Sequence, residues 1–423
     1  MAYQFPKNFT WGVSTASHQI EGNTVNDWSE WEQQNAKRLA EEAPKAFGKT
    51  SPVWNEVKTD ATNPANYISG VGDDSYNRIE EDIALLKELG VKAYRFSIEW
   101  SRIEPEKGKF DEVAIKHYVD FIGRLRQENI QPWVTTVHRT IPQWVAKQGG
   151  WANKDTVIDY GEYVKVLASH FQDHVQHWLP LNEPILNVGG GFFSGQIPPG
   201  RKNPIAGIKA LRNMIQAHRL AHQIIHHIIP EAQVGVAHAA IYAEGHKNRW
   251  VNCLLVSLLH YVANWIFLDR VKNHLDFIGI QYYTRGVIGF GFARTFIPFV
   301  KTYPQSGPHS DMGQEIYSEG LYNFAKLVHR RYHKPIVVTE NGVADRNDTH
   351  RANVIRSHIA QVARALQDGI DMRGYFHWSL LDNFEWDKGY WPRFGLVHVN
   401  RTTLQRTLRP SAEKYKEIIR QNR

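Results

Sequence analysis

Eight short runs rich in β-branched and aromatic residues recur along this chain, at 9–13, 93–98, 131–138, 175–181, 232–238, 277–283, 335–339 and 374–378. Several of the gaps between them carry a helical repeat, and this alternation constrains the fold more than any other feature. In residues 82–89 the apolar positions Ile83, Leu85, Leu86 and Leu89 form one stripe, closed by Gly90, a residue that readily ends helices. The same period predicts helices over 111–128, 155–171, 205–229, 316–332 and 351–368. Strands alternating with helices pair in parallel through right-handed crossovers, and eight such units close into an α/β fold, the (β/α)8 TIM barrel with long active-site loops. A doubly wound open sheet is the alternative, but it favours a Gly-rich phosphate loop after the first strand. Here Trp11-Gly12-Val13-Ser14-Thr15-Ala16 offers no G-x-G-x-x-G.

The 423 residues would allow two or three domains, yet no Pro/Gly/Ser-rich linker, low-complexity tract or repeat marks a boundary. A single catalytic barrel domain over 1–423 is expected. The chain is 42% hydrophobic and 22% charged, the composition of a soluble globular protein. Its formal charge of +7 is spread among interleaved acids, as in 79–92, so no nucleic-acid partner is expected. Cys253 is the only cysteine, which excludes an intrachain disulfide and fits a reducing compartment. It lies in the apolar stretch 251–268, where a small buried hydrophobe is expected. Asn252, His260 and Asn264 interrupt that stretch, which therefore reads as a buried barrel helix, with no membrane partner. The start, Met1-Ala2-Tyr3-Gln4-Phe5-Pro6-Lys7, has no signal-peptide core, and a cytoplasmic location is expected. Oligomeric state is not legible.

In a barrel the active site is assembled at the C-terminal ends of the strands. Most of the apolar runs end in, or carry, a chemically capable side chain: Gln19 and Glu21 after the first, Arg95 in the second, His138 at the end of the third, Asn182 and Glu183 after the fourth, Gln281 and Tyr283 in the sixth, Glu340 after the seventh and Trp378 at the eighth. Each alone is compatible with a loop or core residue; together at one geometric level they indicate an enzyme. Two carboxylic acids at strand ends, Glu183 and Glu340, are the minimum equipment for cleaving a glycosidic bond.

Phe9-Thr10-Trp11-Gly12 with Gln19-Ile20-Glu21-Gly22, the run from Tyr94 to Ile103, Asn182-Glu183-Pro184, Thr339-Glu340-Asn341-Gly342, and the run from Trp378 to Trp386 resemble the motifs of glycoside hydrolase family 1, the β-glucosidase family. The resemblance runs in the family's order from about Phe5 to Leu408-Arg409-Pro410-Ser411-Ala412. It implies a retaining β-glycosidase, most readily a β-glucosidase and also a β-galactosidase or β-fucosidase, with Glu183 as general acid/base and Glu340 as nucleophile. Arg95 would keep Glu340 ionised and Tyr283 would orient it. Gln19, His138, Asn182, Glu385 and Trp386 match the hydroxyl-binding set, Trp378 the stacking floor, and Phe394 a pocket wall. A carboxylate at Glu385 would repel a phosphate on the sugar, which favours an uncharged glycoside.

Two positions depart from the family pattern. Arg139 follows His138 where an aromatic residue is usual, and Gln281 stands where Asn is usual. These departures leave the sugar preference open, including an anionic group near Arg139. No cofactor or metal is expected: His218, His222 and His226 recur at i, i+4 and i+8, but without an H-E-x-x-H pattern. Gly189-Gly190-Gly191 lacks the Lys-Ser/Thr of a phosphate loop and reads as a flexible loop beside the aglycone entrance. The aglycone site itself is assigned to variable loops at 192–203 and 286–313. A small β-glycoside or oligosaccharide is the expected partner. A transglycosidase with a sugar or alcohol acceptor, and a non-catalytic sugar-binding barrel, are the alternative readings.

Overall fold

A computed structural model describes residues 5–291 and 300–422. Eight parallel strands close into a barrel: β1 (Thr10–Ser14), β2 (Ala93–Ser97), β3 (Gln131–Val137), β4 (His177–Leu181), β5 (Gln233–Ala239), β7 (Phe277–Gln281), β10 (Ile336–Asn341) and β11 (Met372–Trp378). Consecutive members of this series are neighbours, and β1 closes the ring between β2 and β11, with Ser14 opposite both Arg95 and Trp378. All eight strands read from the sequence are therefore present, each within a few residues of its expected bounds. Outside the ring, β6 (Tyr242–Gly245), β8 (Arg285–Phe290) and β9 (Val300–Thr302) form a three-stranded sheet.

The expected helices occur as Ile79–Leu89, Glu112–Gln127, Thr156–Phe171, Pro204–Ile228, Glu319–Tyr332 and Arg351–Gln367. Local chemistry sets their ends. Gly90 takes the left-handed conformation (φ 70°) that a C-terminal glycine supplies. Asp111 accepts the N–H groups of Val113 and Ala114, orphan donors of the first turn. The fifth helix begins at Glu319, three residues later than the period suggests, and in the chain before it Glu315 pairs with Arg285.

The barrel interior is a packed layer of Ala93, Trp133, Leu179, Ala237, Phe277, Val337 and Phe376. Large rings face small residues, as a tapered interior demands. Gly12 belongs to this layer: a Cβ there would lie 2.4 Å from the Phe376 ring and 2.8 Å from the Ala93 carbonyl oxygen. Because one of those neighbours is backbone, Gly12→Ala forces the first strand outward. A stability loss of about 1–3 kcal/mol is expected, read as a lower midpoint in chemical denaturation.

Two expectations are corrected. The stretch 251–268 is not one buried barrel helix: it begins in the helix Trp250–His260, where only Asn252 and His260 are buried and Cys253 is exposed, and turns into the core from Ala263 onward, within Tyr261–Trp265 and then Ile266–Val271. The helix follows β6 and packs on the small sheet rather than on the barrel, so its first half has little core to enter. Residues 286–313 are likewise not a simple loop, since they carry most of β8 and all of β9; positions 292–299 lie outside the described residues. A long helix over Asp27–Phe47 had no counterpart in the periodicity reading.

Candidate active site

Glu340 stands in β10, with its side chain 5% exposed. Donors reach it from the adjacent strand β7 and, across the barrel mouth, from β2. Arg95 of β2, fully buried, donates from Nη1 to Glu340 Oε1 (2.5 Å), and Gln281 of β7 donates from Nε2 to the same oxygen (2.5 Å). Tyr283, two residues beyond β7, donates its hydroxyl to Oε2 (2.8 Å). Arg95 also reaches Asn182 Oδ1 through Nη2 (2.6 Å), and Gln281 reaches that oxygen at 2.8 Å, so one array ties the ends of β2, β4, β7 and β10 together. Burial above all pushes the Glu340 carboxyl up to about 7; Arg95 holds it down, and the Glu183 charge adds to the rise. Three donors aimed at one carboxylate favour its ionised form. The chain after Glu340 passes close under the barrel mouth, and a Cβ on Gly342 would lie 1.8 Å from the Trp378 carbonyl oxygen.

Glu183 follows β4 in a left-handed conformation, φ 45° and ψ 52°. The next residue is Pro184, whose ring excludes the right-handed helical region from the residue before it. The Glu183 N–H donates to Ala237 O (2.8 Å), which fixes the turn against β5. Strain of this kind is tolerated where the surrounding structure over-determines it, commonly at functional positions. Arg139, also left-handed at φ 71°, donates from Nη2 to Glu183 Oε2 (2.5 Å), and its guanidinium lies 5.3 Å from the Trp386 ring centroid.

The residues expected to hold a sugar surround these carboxyls. His138 stacks on Trp386 (5.8 Å, 22°) and lies tilted against Trp378 at the same separation. Burial, then Arg95 and Arg139, hold its pKa well below the ordinary value, so the ring is neutral. Gln19 donates to Phe384 O (2.6 Å) and lies 3.4 Å from Glu385 Oε2. Burial raises Glu385 to about 7, against the pull of Arg139. Phe394 meets Tyr283 edge to face. Four buried polar atoms, Gln19 Oε1, His138 Nδ1, Asn182 Nδ2 and Gln281 Oε1, bond to no protein group. Unpaired buried polar atoms are costly, which leaves these four open to a polar partner from the cleft. Contacts or electrostatic coupling thus join all the residues singled out from the sequence as catalytic or sugar-binding. Glu21 is different: it pairs with Arg102 and Tyr118, away from the carboxyls.

Beside the carboxyls opens a cleft of about 230 Å³. Trp28, Trp31, Arg139, Phe192, Ile197 and Arg201 are among its walls, so part of 192–203, the stretch expected to form the aglycone site, lines a cleft next to Arg139. Phe192 belongs to Gly189–Ser194, which is a wide helical turn and not the flexible loop expected of its glycines. The opposite wall is the Asp27–Phe47 helix, missed in the sequence; Asn26-Asp27-Trp28-Ser29 was its signal, because Asn26 and Ser29 form a reciprocal cap. His18 was also missed: it stacks on Trp386 and hydrogen-bonds Asn26 and Thr24. Of the three helical histidines, His218 bonds to His274 O, whereas His222 and His226 gather with Asp276. Asp276 Oδ2 already accepts from His226 and the Val234 N–H, a bond set that serves the strand ends without an ion.

The family model described as glycosyl hydrolase family 1 matches residues 1–271 and 265–423. A 1,4-beta-D-glucan glucohydrolase of Thermotoga neapolitana is 32% identical, covering 99% of each chain. Beta-glucosidase A of Thermotoga maritima is 32% identical over 99% of this chain and 98% of its own. The solved structure of a beta-glucosidase from Thermotoga maritima in complex with glucoimidazole superposes with a TM-score of 0.86 at 29% identity, covering 99% of both chains. A match of this length, carrying both carboxyl motifs on the strands where the barrel presents them, means that the chain belongs to glycosyl hydrolase family 1.

Proposed function

We propose that the protein hydrolyses terminal β-glucosides with retention of configuration, with β-galactosides and β-fucosides as further substrates. The observation that carries this reading is the donor set on Glu340, facing Glu183 across the barrel mouth. Glu340 Oε1 already receives two donors, which leaves Oε2, held by Tyr283 alone, with a lone pair for the anomeric carbon. As the C1–O bond breaks, Glu183 gives its proton to the departing oxygen and a glycosyl ester forms on Glu340. Glu183, now ionised, takes a proton from water, which attacks C1 from the other face and releases β-configured sugar. Asn182, His138, Gln19 and Glu385 offer partners to ring hydroxyls, and Trp378 offers an apolar face. The test is an aryl β-glycoside panel followed by NMR of the first product. Release of α-configured sugar, or no turnover of any member, refutes the reading.

Arg139 makes the pH dependence specific to this chain. Its cation next to Glu183 stabilises the doubly ionised carboxyl pair, which lacks the proton that cleavage needs. In Arg139→Ala the alkaline limb of kcat/KM is therefore expected to move to higher pH. The acid limb, set by protonation of Glu340 near neutrality, moves little. Rate profiles of both proteins on one aryl glucoside check this, and an unmoved alkaline limb would show that the ion pair does not govern the proton.

A further inference from the structure

The helix Trp250–His260 is built inside out. Its inward face carries Asn252, whose amide donates to His246 O (2.6 Å) and whose carbonyl accepts from the Phe290 N–H (2.8 Å), and His260, whose Nε2 accepts from the Ala243 N–H (3.1 Å). Leu255, Val256 and Leu259 pack beside them on Ala243, Ile288 and Val300. The outward face is apolar: Trp250 is 80% exposed, Leu254 62% and Leu258 54%, followed by Tyr261 and Val262. Positions 250, 254, 258 and 261–262 make one continuous stripe along the helix. A stripe of large side chains turned to solvent marks a surface that another phase or molecule covers.

We propose that this face docks the protein on an anionic lipid bilayer, with the helix lying in the plane of the interface. Charge selects that occupant. No Asp or Glu occurs from residue 245 to 268, while Lys247, Arg249 and, on β9, Lys301 stand exposed around the stripe. The nearest acids are already matched: Glu244 and Glu315 by Arg285 at 2.7 Å each, and Asp269 by Arg331 at 2.6 Å. Basic residues flanking an exposed Trp/Leu face suit negatively charged headgroups, whereas a second copy of this chain would bring the same cationic rim against itself. Spanning is excluded by geometry. The apolar helical stretch Trp250–His274 has 25 residues, but Phe267, Leu268 and Val271 are locked in the barrel core. The free part, Trp250–His260, is roughly 16 Å long against a hydrocarbon thickness of about 30 Å. Docking revises the expectation that the chain has no membrane partner.

The face lies on the active-site side. β6 leaves the C-terminal end of β5, and β8 begins two residues after Tyr283, which holds Glu340. Docking therefore brings the barrel mouth toward the bilayer and favours β-glycosides carried there on an alkyl or acyl aglycone; this clause rests on the proposed glycosidase activity. The experiment is co-sedimentation with phosphatidylglycerol/phosphatidylcholine vesicles and with phosphatidylcholine alone. The protein is expected to bind the anionic vesicles, and Trp250→Asp/Leu258→Asp to weaken binding on the order of 100-fold. Both proteins should hydrolyse a soluble aryl glucoside equally, whereas a long-chain alkyl β-glucoside held in those vesicles should be turned over about 10-fold faster by the unsubstituted protein. Absence of vesicle binding, or binding unchanged in the double variant, overturns the proposal. So does a solution dimer that the double variant dissociates, because a second copy then covers the face. Failure on the soluble glucoside by both proteins would instead refute the glycosidase reading, while sedimentation still decides the docking.

Discussion

Glu340→Ala is expected to lower kcat on aryl β-glucosides by a factor on the order of 10⁴ or more, because no other group in the cleft can form the glycosyl ester. The remaining site is informative. Arg95, Gln281 and Tyr283 lose their shared acceptor but keep other anchors or an open cleft, with Asn182 Oδ1 still bound by the first two. The vacated space lies against the face of the sugar that Glu340 attacks. A small anion such as azide placed there takes over the attack on C1 and yields α-glucosyl azide, with inverted configuration. Arg95 supplies a buried positive charge to hold that anion. Because removing one member of a buried ion pair also strains the fold, Glu340→Gln serves as the companion variant: it keeps shape and is expected to be equally slow, without azide rescue. Turnover within about 10-fold of the unsubstituted protein in either variant would remove Glu340 from the nucleophile's role.

The barrel was legible because strand and helix periods are local properties, and each strand carried its own. The carboxyl pair was legible because chemistry at strand ends is also local in sequence. What escaped has a common cause in geometry that no period encodes. Arg139 and Gln281 were visible only as departures from a motif; their bonds to Glu183 and Glu340 depend on side-chain reach across neighbouring strands. The extra methylene of Gln281 does not displace it from Glu340 but lets it bridge Asn182 and the carboxylate together. The stretch around Cys253 misled for a different reason: hydrophobicity predicts burial only when a core is near, and the small sheet under that helix has room for three apolar residues and two polar ones. His222 and His226 were correctly seen on one helix face, yet their companion Asp276 comes from fifty residues away.

Glu183→Ala separates the two carboxyl roles, because its cost should depend on the substrate in a way that no loss of binding reproduces. With an alkyl glucoside, whose oxygen leaves poorly without a proton, cleavage is expected to slow by about 10²–10⁴-fold. With a dinitrophenyl glucoside, whose oxygen leaves as a stable anion, the glycosyl ester on Glu340 should still form at close to the original rate, and only its hydrolysis should slow, for want of a base. Pre-steady-state kinetics would then show a burst of dinitrophenol followed by slow turnover. Added azide needs no base and should accelerate that second step to give β-glucosyl azide, opposite in configuration to the product from Glu340→Ala. The Arg139 cation, freed from its bond to Glu183, remains beside the cleft and favours the approach of an anion. A uniform loss across both substrates, with no burst, would mean that Glu183 positions the sugar rather than moving its proton. Arg139 would then be the group whose interaction with the leaving oxygen must be measured next, by comparing Arg139→Ala on the same two substrates.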